Sequence, residues 1–228
     1  MPSIKELKQY LETLQNLGIK ELYAEAGATP GSTAREEDYS NLDNESHLAL
    51  LEAKYANCTK CTLAAGRIKF VYGDGNPEAK VMIIGEAPGE QENLMGKPFV
   101  GKAGELLDRM IAAIHLDRET VYIANIVKCR PPGNRDPQPE ERIACLPYLV
   151  EQISIVKPKI ILMMGLVAAQ TLLATNQSLG NLRQKVHFFE GIPSYVSYHP
   201  AALLRNPNWK LPAWEDLKLF YQHYLNLI

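Results

Sequence analysis

Cys58 and Cys61 form a C-x2-C pair just ahead of the first clear apolar strand, and the chain's other two cysteines, Cys129 and Cys145, lie far downstream. These four can share a site only if the segment around 58–61 folds back onto the strand end at 129 and the helix carrying 145. A four-thiolate site of that kind would clamp an N-terminal segment to the body of an α/β domain. Spacing leaves three readings open: an iron–sulfur cluster, a zinc ion, or unrelated buried cysteines. The wide interval from Cys129 to Cys145 differs from the tight second pair of a zinc knuckle.

The body reads as alternating strands and helices. Short apolar strands are expected at 81–85, 121–127, 160–164 and 192–197, with helices at 46–57, 104–114, 139–156, 166–174 and 212–226. This rhythm predicts an α/β fold, a three-layer α/β/α sandwich around a mostly parallel four-stranded sheet. Right-handed crossovers would gather the loops after Gly85, Val127 and Ser197 at one end of that sheet, where ligands bind. Upstream, residues 4–17 carry Leu7, Leu11 and Leu14 at helical period, and 24–46 are small and polar, as in a linker or mobile arm. The expected division is an N-terminal helix and acidic arm over 1–45, then a single domain over 46–228.

Net charge is −2, which by itself does not point to nucleic acid, but its distribution is uneven. Residues 1–57 hold five Lys/Arg against ten Asp/Glu, and 58–228 hold nineteen against sixteen. The mildly basic body permits a nucleic-acid partner without demanding one. No apolar run is long enough to span a bilayer, and the charged, amphipathic first residues do not read as a secretory signal. A cytoplasmic protein is expected, in a compartment where thiolates hold metals more often than they form disulfides.

Several residues invite a chemical reading beside a plain one. Gly85-Glu86-Ala87-Pro88-Gly89 is either a strand-end turn or a loop whose N–H groups hold a phosphate, base or water. Asn125 is an amide inside an apolar strand, costly unless paired, so it caps a neighbour or meets a ligand. Phe99, in GKPFVG, is core or a stacking ring. His199, stiffened by Pro200, is a structural strand-end histidine or a donor.

Taken together, CTKCTLAAGR, VMIIGEAPGEQENLMGKPFVGKAGELLDRM, YIANIVKCRPPGNRDP and SYHPAALLRN make the chain resemble the cluster-containing family 4 uracil-DNA glycosylases over roughly 55–226. The resemblance implies a [4Fe-4S] cluster on Cys58, Cys61, Cys129 and Cys145, with a structural role. It implies a uracil pocket floored by Gly85, Ala87 and Gly89, in which Glu86 places water and Phe99 stacks on the flipped base. It implies that Asn125 reads O4 and N3–H and that His199 donates to O2 of the departing uracil. Family 1 enzymes carry Asp where this chain has Ala87 and a thymine-blocking Tyr where it has Gly89, so thymine exclusion falls to Glu92 or the loop backbone. Leu203 or Leu204 would fill the gap left by the flipped nucleotide, with Arg205, Asn134, Arg135, Lys97 and Lys102 on DNA.

The implied reaction is hydrolysis of the uracil–deoxyribose bond in single- or double-stranded DNA, giving free uracil and an abasic site in base-excision repair. Enzymes that act on a base must first extrude it. The implied setting is a nucleoid-associated monomer, with a repair-protein partner for the acidic arm. The rivals are an iron–sulfur redox enzyme and a non-catalytic iron–sulfur nucleic-acid binder. Relatives that link covalently to DNA carry a basic insertion before the motif histidine, and residues 194–199, SYVSYH, contain no Arg or Lys.

Overall fold

The computed structural model describes residues 41–228. The expected helix at 4–17 and most of the arm at 24–46 lie outside the described residues. The strands are β1 (Asp74–Gly75), β2 (Val81–Gly85), β3 (Val121–Asn125), β4 (Ile160–Met164), β5 (His187–Phe189) and β6 (Ile192–Ser197). The helices are α1 (Asn44–Tyr55), α2 (Glu90–Met95), α3 (Lys102–Ala112), α4 (Pro139–Val156), α5 (Leu166–Leu172), α6 (Leu179–Leu182), α7 (Pro200–Arg205) and α8 (Lys210–Leu225).

The sheet has six strands in the order β1-β3-β2-β4-β6-β5, not four. The four expected strands form its parallel centre, and β1 and β5 pair antiparallel at the two edges. Both edge strands are only two or three residues long, too short to leave a periodicity signal.

Alternation along each central strand sorts the side chains into two cores. Met82, Ile84, Tyr122, Ala124, Ile161, Met163 and Val196 face a layer built from α1, α4 and α5. Val81, Ile83, Val121, Ile123, Ile160, Leu162 and Tyr195 face α3, α7 and α8. The result is an α/β/α sandwich with a mixed, largely parallel sheet.

Boundary differences have local causes. Helix α1 begins two residues early because Asp43 caps it, its carboxylate accepting from Ser46 N–H at 2.7 Å. Strand β3 stops at Asn125 because β2 has already ended. The next two N–H groups, of Ile126 and Val127, donate to the carbonyls of Gly85 and Glu86. This hydrogen bonding ties the two strand-end loops together. Helix α4 runs through Pro147 as one element and is capped at its start by Glu141, which accepts from Gln138 N–H. No described helix is long and apolar enough to cross a membrane.

Candidate active site

Because the central strands are parallel, the loops after β2, β3 and β6 open at the same end of the sheet. There they enclose a cavity of about 280 Å³ lined by Glu86, Ala87, Gly89, Phe99, Asn125 and His199, among others. Gly85 lies beneath it. A Cβ at that position would come within 2.5 Å of Asn125 Oδ1 and 2.6 Å of Phe99 Cζ, so the floor closes only around glycine.

Asn125 is 1% exposed, and its Oδ1 finds no hydrogen-bond donor among the described residues. An unpaired buried acceptor costs about 1–3 kcal/mol, a cost that a donor on a ligand would remove. Its own backbone carbonyl is held by the wholly buried Lys128, whose ammonium donates at 3.0 Å.

His199 is the residue before α7, and its Nδ1 accepts from Ala201 N–H at 3.2 Å. That bond places the ring proton on Nε2. Burial and the neighbouring Arg205 push the His199 pKa down to about 4, so the ring is a neutral donor at neutral pH. Gly165, at φ +97°, makes room behind it, since a Cβ there would stand 2.9 Å from that of His199. Two residues upstream the strand end is pinned: Ser197 Oγ donates to Asp216, which is buried and paired with Arg183 at 2.6 Å.

The Glu86 pKa is pushed up to about 7, first by burial and then by the nearby Asp136, with Arg142 and Arg205 opposing the rise. It can therefore take or release a proton near neutrality. Glu92 also lines the cavity, but its carboxylate is engaged. It accepts from the N–H groups of Gly89 (3.1 Å), Val100 (2.8 Å) and Gly101 (2.9 Å). This brace holds the first loop against the segment that presents Phe99. Phe99 itself is 5% exposed, has φ +53°, and its carbonyl accepts from Arg118.

The other expected contacts separate. Asn134, Arg135 and Arg205 line the cavity. Arg135 makes a bidentate pair with Glu141, both contacts at 2.8 Å. Lys97 pairs with Asp74 at 2.9 Å, and Lys102 is exposed at the start of α3. Leu203, expected as one of two residues entering DNA, is 1% exposed inside the α3–α8 core, whereas Leu204 is 42% exposed. The correction has a simple cause: successive positions on a helix differ by about 100°, so one leucine faces the core and the next faces solvent.

Sequence reasoning missed Asp136 and Arg142, which set the electrostatics of Glu86. Arg142 sits on α4, five residues past the end of the motif at 122–137, and no local pattern announces its neighbour. Asp136 was adjacent to the NR pair within NRDP and was legible as part of the same loop.

The four cysteines share one corner of the α1–α4 core. Tyr148 O–H donates to Cys58 Sγ at 3.1 Å, Lys128 N–H to Cys145 Sγ at 3.3 Å, and Arg67 to Cys129 Sγ at 3.5 Å. Burial pushes the Cys145 thiol up to about 12, with Lys128 opposing, and raises that of Cys129, with Arg67 opposing. No three His, Cys, Asp or Glu among the described residues stand close enough to hold a single metal ion. Four thiols at one corner are the donor type that an iron–sulfur cluster or a zinc ion takes.

Residues 72–218 match the family model described as the uracil DNA glycosylase superfamily. The chain belongs to this superfamily. It is 42% identical over 175 residues to the type-4 uracil-DNA glycosylase of Pyrobaculum aerophilum, covering 72% of this chain and 88% of that one. Against the type-4 uracil-DNA glycosylase of Saccharolobus solfataricus it is 43% identical over 181 residues, covering 75% and 84%. The type-4 uracil-DNA glycosylase of Sulfurisphaera tokodaii is 42% identical over 180 residues, with 75% and 82% covered. The close match is thus to the type-4 branch of the superfamily, whose members are hydrolases.

Proposed function

We propose that the chain hydrolyses the N-glycosidic bond of deoxyuridine in single- and double-stranded DNA, releasing uracil and leaving an abasic site in base-excision repair. The observation that carries this reading is the unpaired acceptor of Asn125 in the same cavity as the neutral Nε2–H donor of His199. Uracil offers a donor at N3 between acceptors at O2 and O4. The Asn125 amide accepts from N3–H and donates to O4, whereas cytosine presents the opposite pattern there and would leave buried groups unpaired.

As the C1′–N1 bond breaks, its electron pair moves onto the uracil ring. The His199 Nε2–H stabilises that charge at O2 more than it stabilises the substrate. Glu86 orients the water that bonds to C1′ and, with a pKa of about 7, is able to take its proton. Phe99 supplies a face for stacking, and the loop braced by Glu92 meets C5, where thymine carries its methyl group. Leu204 enters the space of the extruded nucleotide, with Asn134, Arg135, Arg205, Lys97 and Lys102 on the DNA backbone.

Cys58, Cys61, Cys129 and Cys145 would hold a [4Fe-4S] cluster, which when bound crosslinks the 58–67 segment to the end of β3 and to α4. The hydrogen bonds from Tyr148, Lys128 and Arg67 would support its thiolates.

Incubation with a uracil-containing duplex, the same single strand and a thymine control tests the reading. Abasic sites are expected only with uracil. A chain that binds the uracil DNA yet releases no base contradicts it.

A further inference from the structure

Residues 204–211, LRNPNWKL, are exposed at every position. Three are large and apolar, with Leu204 42%, Trp209 40% and Leu211 70% exposed. Two are cationic, Arg205 and Lys210, and none is acidic. Large apolar side chains beside cations are what a nucleic-acid surface offers, because every base has a face to stack and every linkage a charge to meet.

Trp209 is held firmly. Its ring stacks on Tyr198 with centroids 5.1 Å apart and planes within 24°. The guanidinium of Arg183 lies over Tyr198, 4.3 Å from the ring centroid. Arg183 is locked in turn by buried Asp216 and by the carbonyl of Pro212 at 2.7 Å. The outcome is a column of cation, phenol and indole whose last member reaches solvent. The segment bearing it is continuous with the base cavity, which Ala201 and Arg205 line.

We propose that Trp209 is a stacking platform for an unpaired base of the DNA strand outside the cavity, flanked by Arg205 and Lys210 on phosphates. The glycosylase reading identifies the ligand as DNA, and the platform adds a second base-binding position. Stacking of this kind tolerates any sequence, so it supplies affinity and not base choice.

The chain has two tryptophans, Trp209 and Trp214, so Trp214→Phe leaves Trp209 as the only indole emitter. The probe is a single-stranded oligonucleotide carrying a non-hydrolysable abasic analogue, titrated into the full chain. Saturation is expected to quench the emission. Trp209→Ala is expected to weaken binding of that oligonucleotide about tenfold, with Trp209→Phe recovering most of the loss. Emission that ignores saturating DNA overturns the proposal, as does wild-type affinity in Trp209→Ala. Emission that shifts with protein concentration alone also overturns it and assigns the surface to a second copy of the chain. A wild-type chain that quenches with DNA but releases no uracil overturns the glycosylase reading and leaves the platform standing.

Discussion

Phe99 and His199 stack on one another, their ring centroids 5.4 Å apart and their planes within 29°. At that separation the rings are offset and overlap only in part, and the gap admits no third ring between them. A base in this cavity therefore meets His199 through its edge. That is the geometry a donor in the imidazole plane requires, because Nε2–H points outward from the ring edge.

Gly85→Ala should collapse this arrangement. The added methyl would overlap both Asn125 Oδ1 and the Phe99 ring, and neither can retreat from a packed strand end. Overpacking of this kind costs about 1–3 kcal/mol. Thermal unfolding should show a modest drop, and uracil release should fall by more than the stability loss explains.

The pH dependence of kcat/KM should carry one limb from Glu86. Its pKa in the folded chain, about 7, lies above the ordinary carboxyl value of 4.5. Folding thus favours the protonated form, and this stabilisation is full below about pH 4.5 and lost as pH rises through about 7. Catalysis needs the ionised form, so activity should rise through the same range. Glu86→Gln should lower activity, remove the rising limb, and unfold at higher temperature than the parent at pH 8. His199, at about 4, should add no break between neutral pH and its own titration.

Asn125→Leu should remove the edge reading without enlarging the cavity much. Losing hydrogen bonds to the base costs about 1 kcal/mol each, more where a charge develops, so at least a tenfold fall in kcat/KM is expected. Competition between uracil- and cytosine-containing strands measures the accompanying loss of selectivity.

Leu203 and Leu204 should respond oppositely. Leu203→Ala empties a core site and should cost about 2–5 kcal/mol in denaturant unfolding. Leu204→Ala should leave the unfolding midpoint within experimental scatter while weakening binding to a uracil-containing duplex.

The cysteine corner predicts a brown protein absorbing near 400 nm. Cys129→Ser should bleach that absorbance and lower the unfolding temperature. Tyr148→Phe, which removes the hydrogen bond to Cys58 Sγ, should shift the absorbance while keeping the iron.

Some parts of the fold and site could be read from the chain and some could not. The central strands at 81–85 and 160–164 were readable because each is a continuous apolar run buried on both faces, whereas 192–197 mixes Ile192, Tyr195 and Val196 with two serines and is only partly buried at its start. Strands β1 and β5 were not, because pairing to a neighbour and not side-chain pattern defines them. Glu86, Asn125, Phe99 and His199 were legible through motif resemblance, and parallel strand direction places their loops together. Glu92 was legible as a cavity residue but not as a brace, since its three partners lie as far as nine residues away. Arg142 left no trace in sequence because only the packing of α4 beside the first loop makes it a neighbour of Glu86. Leu203 and Leu204 look identical in the chain, and only the phase of α7 separates core from surface.

The most direct measurement is a crystal structure of the chain with uracil bound. The ring should occupy this cavity, with its N3–H and O4 on the Asn125 amide and its O2 on His199 Nε2. Uracil seated elsewhere, or an Asn125 amide and a His199 imidazole unable to touch one ring, would contradict it.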